Sequence, residues 1–169
     1  MPKVEFEKAT NTAILGDESL VFHCHHYNCT LQKAVQDGVG EGAAALLSSA
    51  AIDPAFRQLE AFVREGAKRT EILALADQTF GEIGFGRLEF SGMTRAGGDV
   101  TLRSSHYAMG WSSLFGESKT PVCHFAVGFV TAAVAVAFEL TPASIHVEET
   151  ACFACGASDD CRLRVEVRS

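Results

Sequence analysis

The sequence has no basic cluster. Its 14 Lys and Arg are scattered among 21 Asp and Glu, the net charge is −7, and no basic run exceeds Lys68-Arg69. Nucleic acid and anionic membrane both require a basic face, so neither is expected as the main partner. Within the first twenty residues, "MPKVEFEKATNTAILGDESL", no apolar run follows a basic region. The expectation is therefore a cytoplasmic protein without a signal peptide. Serine-hydrolase, paired-carboxylate and phosphate-loop patterns are missing too. "GVGEG" at 38–42 has neither a preceding strand nor a following Lys. Only four prolines interrupt the chain, and no linker, repeat or low-complexity tract divides it. One domain spanning 1–169 is the natural reading at this length.

With 47% hydrophobic and 21% charged residues, the chain has the balance of a globular domain with a substantial core. Segment 19–25 has strand character. Asn28 or Thr30 offers a cap for a helix ending near Gly38, "EGAAALLSSAAI" (41–52) reads as a second helix stopped by Asp53-Pro54, and 54–69 as a third. A fourth covers 70–84, with Thr70 as its cap. The period then changes: 85–93 alternates as a strand, Gly97-Gly98 supplies a turn, and 99–111 forms the return strand. The most apolar segment, 121–140, approaches membrane-spanning length. His124 within it, its Ala and Val content and the absence of a positive flank favour a buried helix instead. "ASIHVEETACF" and "CRLRVEVRS" close the chain as a hairpin, and the whole is an α+β fold.

Six cysteines in a reducing compartment ask for a metal or redox explanation before a disulfide one. Cys152, Cys155 and Cys161 surround a turn, and Cys123 sits in the first turn of the buried helix, where the dipole favours a thiolate. Here "PVCHFAVGFVTAAVAVAFEL" followed by "VEETACFACGASDDCRLRVE" resembles the V4R (4-vinyl reductase-like, hydrocarbon-binding) domain family over about residues 120–167. The shared pattern is a Pro-x-Cys helix start, a helix of small residues, then Glu-x-x-Cys, a Gly turn and a further Cys. The resemblance implies a zinc site at Cys123, Glu149, Cys152 and Cys161. It also implies a homodimer and a fold similar to that of a vesicle-tethering subunit, whose buried pocket takes a small apolar or aromatic molecule. Two departures stand out: a turn from Gly156 to Cys161 one residue longer than usual, and the additional thiol of Cys155. Strand parity places Glu148 rather than Glu149 on the face of Cys152. A four-thiolate set of Cys123, Cys152, Cys155 and Cys161, holding zinc or an iron–sulfur cluster, is the alternative.

Phe85, Phe90, Tyr107, Trp111, Phe115, Phe125 and Phe129 can line an apolar pocket. Family sensors hold the ligand's polar group with a His and a Trp, which makes His106, Tyr107, Trp111, Phe125 and Phe129 the candidate ligand-binding residues. Outside the family signature stands "VFHCHHYNC" (21–29), with three of the six histidines. His23 and His25 share one face of a strand, whereas His26 or His25 with Cys29 has helical metal-ligand spacing. His23, His25, His26 and Cys29, with His106 or His124, are thus a candidate second site for zinc, iron, copper or haem. Three functions follow: a stand-alone binding module with structural zinc, a metalloenzyme acting on a small apolar substrate, or a scaffold dimerising through 121–140.

Overall fold

The computed structural model describes residues 3–15, 18–21, 23–156 and 158–168, with residue 18 described by its backbone alone. Phe22, within the histidine-rich stretch, and Ala157, within the cysteine turn, lie outside them. Three short strands, β1 (Glu5–Glu7), β2 (Thr12–Leu15) and β3 (Glu18–Leu20), form an antiparallel sheet in that order. Helices α1 (His25–Val39), α2 (Ala43–Arg64) and α3 (Ile72–Glu82) follow. Next come β4 (Arg87–Thr94), β5 (Gly97–Arg103), α4 (His106–Phe115), α5 (His124–Phe138), β6 (Ile145–Ala151) and β7 (Cys161–Val167). The second sheet is antiparallel throughout, in the order β4-β5-β7-β6. The α+β expectation is met.

Helix α5 is the axis of the core. It is apolar all round, and Ala126 and every residue from Gly128 to Val136 are buried within the chain. α2 covers one side of it, while α3 and β6 cover others. Little of its surface is left uncovered by the chain itself. Among the described residues, no helix is long and apolar enough to cross a membrane. The α2–α5 crossing is very close: a Cβ on Gly128 would lie 2.1 Å from the Ser48 carbonyl oxygen. The second sheet shows the period-2 pattern of a half-buried sheet. Leu88, Val100, Leu102, Leu163 and Val165 face the helices, while Arg103–Glu89 and Arg164–Asp99 pair on the open face.

Five boundaries differ from expectation. Pro54 does not end a helix; it lies inside α2. Its ring is exposed, and Ala50, whose carbonyl loses its donor, is exposed as well. Burial of Ala51, Ala55, Leu59 and Phe62 on the same helix offsets that local cost. The β4–β5 turn is Arg95-Ala96, and Gly97-Gly98 begin β5. Gly97 is needed because a Cβ there would strike the Val165 carbonyl at 2.2 Å. The return strand stops at Arg103, so residues 106–111 are helical; Ser104 turns at φ 53° and the Ser105 hydroxyl caps α4 by accepting from Ala108 N–H at 3.2 Å. Strand β3 ends at Leu20, and α1 begins at His25 with Cys24 as its N-cap rather than Asn28 or Thr30. Likewise α3 starts at Ile72 after a single turn over Arg69–Glu71. There the Glu71 carboxylate accepts from Lys68 N–H at 2.9 Å and Thr70 is not the cap.

Candidate functional site

Two sites meet at the start of α5. The first is a cluster of three thiols and one carboxylate. Cys123 is the N-cap of α5, Cys161 opens β7, Cys152 follows the end of β6, and Glu149 comes from within β6. One ligand atom from each lies within 4.8 Å of the others. The Sγ atoms of Cys123 and Cys161 are 3.4 Å apart, and those of Cys161 and Cys152 are 3.9 Å apart. Zinc–sulfur bonds of about 2.3 Å in a tetrahedron put sulfurs about 3.8 Å apart, so the thiols already stand at the spacing a metal needs. The Cys123 N–H donates to Glu149 Oε2 at 2.8 Å, while Oε1 is buried without a partner. A buried carboxylate with one orphaned oxygen, grouped with three thiols, is a donor set that could hold a cation.

A backbone irregularity decides which glutamate belongs. The β6–β7 register shifts between Glu149 and Ala151, so Thr150 is an extra residue. The bulge reverses parity and turns Glu149, not Glu148, toward Cys152. Burial and then the nearby Cys152 raise the Glu149 carboxyl to about 8. Cys152 is held far below the usual thiol range, chiefly because the Cys123 and Cys161 thiols hydrogen-bond to it. Cys155 is half-buried and outside the four-residue group; burial, then Cys152, push its thiol to about 11. What the structure gathers is thus the Cys3Glu set, not four cysteines.

The second site is a cavity of about 660 Å³ between α1, α2, α4 and α5, with Ser19, Leu20, Val21 and His23 at its edge. One wall is aromatic. Phe85 stacks on Phe125 with ring centroids 4.3 Å apart and on Tyr107 at 5.9 Å, and Phe129 continues this wall. The opposite wall is α2, with the small side chains of Ala50, Ala51 and Ala55. Polar groups come from α1 and α4. Asn28 Nδ2 lies 3.1 Å from His106 Nε2, and Gln32 Nε2 donates to the Val122 carbonyl at 2.9 Å. With the Asn28 amide nitrogen as donor, His106 Nε2 accepts. Burial, then the neighbouring His25, lower the His106 pKa and keep it neutral; burial pushes the Tyr107 phenol up to about 12.

The candidate pocket residues His106, Tyr107, Phe125 and Phe129 all line the cavity, as does Phe85. Trp111 does not: it is buried in the core against Phe115, at 4.9 Å between ring centroids. Phe90 and Phe115 lie elsewhere too. Asn28 and Gln32 are lining residues that the sequence pattern does not single out. Their one signal is the i, i+4 spacing of two amides on one face of an otherwise mixed helix.

The histidine-rich stretch is not gathered into a second ligand set among the described residues. His23, His25 and His26 are exposed. His23 stacks on Tyr27, His25 meets His26 edge-on, and Cys29 is fully buried with its thiol on the Tyr107 carbonyl. With α1 starting at His25, strand parity does not apply; His25 and Cys29 both face Gly110 of α4. His124 is buried at the start of α5, 3.2 Å from Gln36 Nε2.

No protein-family model matches the chain, and no curated protein matches it. Among solved structures, the phenol-responsive sensory domain of the transcription activator PoxR, determined with phenol, superposes with a TM-score of 0.81 at 19% identity. The match covers 98% of this chain and 85% of that one. Trafficking protein particle complex subunit 3 from Naegleria fowleri, covalently bound to palmitic acid, superposes with a TM-score of 0.53 at 10% identity, over 86% of this chain and 95% of that one. The chain shares its fold with both.

Proposed function

We propose that the protein is a V4R-type module that binds a small aromatic or apolar molecule in the 660 Å³ cavity, with a structural zinc ion at Cys123, Glu149, Cys152 and Cys161. The carrying observation is the cavity itself. It is mainly apolar, has one aromatic wall and a few neutral polar groups, and lies within the roughly 300–1,000 Å³ range of ligand pockets. The fold shared with a phenol-responsive sensory domain supports the same reading. Zinc would tie β6 and β7 to the start of α5, which carries Phe125 and Phe129 into the cavity wall. A homodimer is part of this proposal; exposed Leu31, Met109 and Phe153 are side chains that an interface would cover.

Elemental analysis and a thermal-shift titration with phenol test both halves. The expected result is one zinc per chain and a melting temperature that rises with phenol concentration. A second metal equivalent, or a visible absorption band, would favour the metalloenzyme using His23, His25, His26 and Cys29. Light scattering gives the oligomeric state.

A further inference from the structure

The cavity's chemistry narrows the ligand class, resting on the reading just given. Gln32 is only 3% exposed, lines the cavity, and spends its amide nitrogen on the Val122 carbonyl. That bond fixes the amide's orientation, because a carbonyl cannot accept from Oε1. The oxygen has no hydrogen-bond partner and stays accessible, on a residue that lines the cavity. This amide oxygen on α1 therefore asks for a donor from the ligand.

Charge is missing from this end of the cavity. None of the described lining residues is a carboxylate, and His106 is kept neutral by burial. Among the described lining side chains Arg57 alone is permanently charged, and it is exposed and already paired with Asp53. An ionised ligand would lose its hydration without gaining a counter-charge in the interior. Size gives a further limit. A cavity of about 660 Å³ is of the class that buries drug-sized molecules, so a single ring would leave much of the wall along α2 uncovered.

We infer that the ligand is an uncharged molecule of about two rings, or a ring with an apolar extension, bearing a hydroxyl or N–H donor that is bound by Gln32 Oε1. The aromatic core lies against Phe85, Phe125 and Phe129, and the extension lies along Ala51 and Ala55. Gln32 then acts as the residue that selects the donor, and through Val122 it touches the residue next to Cys123.

Equilibrium dialysis of the metal-replete protein against four probes tests this: phenol, 2-naphthol, 2-methoxynaphthalene and 2-naphthoate. 2-Naphthol is expected to bind at least tenfold tighter than phenol. 2-Methoxynaphthalene, which keeps the shape but has no donor, and the charged 2-naphthoate should each bind at least tenfold weaker than 2-naphthol. Gln32→Met, close in shape, should bring 2-naphthol down to the level of 2-methoxynaphthalene and leave the latter unchanged. Phenol equal to or tighter than 2-naphthol overturns the size argument, and 2-methoxynaphthalene or 2-naphthoate equal to 2-naphthol overturns the donor or charge argument. These comparisons use the unmodified chain, so they decide the matter even if the variant does not fold. Failure of all four probes to bind overturns the underlying binding function along with the inference.

Discussion

Replacing Glu149 by Gln should have opposite effects on the chelator-treated and the zinc-loaded protein. The carboxyl moves from an ordinary 4.5 to about 8 in the folded chain, mainly through burial. A raised acid means that the folded state holds its proton more tightly than the unfolded chain. Stability from this group is therefore greatest below pH 4.5 and falls as the pH rises toward 8. At about 1.36 kcal/mol per pH unit, the ionised carboxylate costs the metal-free fold up to about 5 kcal/mol above pH 8. The amide of the Glu149→Gln variant would carry no such cost, and its oxygen could still accept from the Cys123 N–H. Zinc reverses the balance, because a cation compensates the buried carboxylate, and an amide supplies no such charge. Guanidinium unfolding under reducing conditions, at pH 5.0 and pH 8.5 and with and without zinc, measures all four cases. Chelator-treated Glu149→Gln should be the more stable protein at pH 8.5 by a few kcal/mol, and the less stable one once zinc is added. Comparing the two proteins reports the carboxyl together with its interaction with Cys152, since the cysteines are present in both. A variant equal to the parent at pH 8.5 without metal would refute the argument from burial, and an equal gain from zinc would refute the ligand assignment.

Other perturbations address the frame. Gly128→Ala places a Cβ 2.1 Å from the Ser48 carbonyl and must push α2 away from α5; overpacking of this kind costs about 1–3 kcal/mol, read as a melting temperature lower by several degrees. Ser105→Ala removes the α4 cap and the hydroxyl 3.1 Å from Cys123 Sγ, and should cost about 1 kcal/mol in chemical denaturation. Ala50→Phe, at an exposed position on the α2 wall of the cavity, should weaken 2-naphthol binding severalfold while leaving the melting temperature of the unliganded protein within a degree or two, as calorimetry and thermal scans would show.

The Cys/Glu cluster is legible in the sequence because ligand chemistry restricts residue types, and Cys123, Cys152 and Cys161 retain their identity whatever the backbone does. The choice between Glu148 and Glu149 is not legible, since it turns on the bulge at Thr150, and period-2 counting assumes an unbroken ladder. Pro54 misleads for a similar reason. Local propensity says stop, whereas burial of the opposite face against α5 carries the helix on. His106 and Tyr107 read as pocket residues from the sequence even though the pattern there suggests a strand and the chain forms a helix. Trp111, one turn beyond Tyr107, goes to the core instead. Asn28 and Gln32 escape because polar residues on a short helix read as solvated. Only the tertiary fold shows that α4 and the segment leading into α5 cover that face.

A calorimetric titration of phenol into the zinc-loaded protein, run at two temperatures, tests the central claim most directly. The account predicts saturable binding of one phenol per chain with a negative heat-capacity change, the mark of apolar surface leaving water. Heats that only dilute, with no saturation at either temperature, would contradict it.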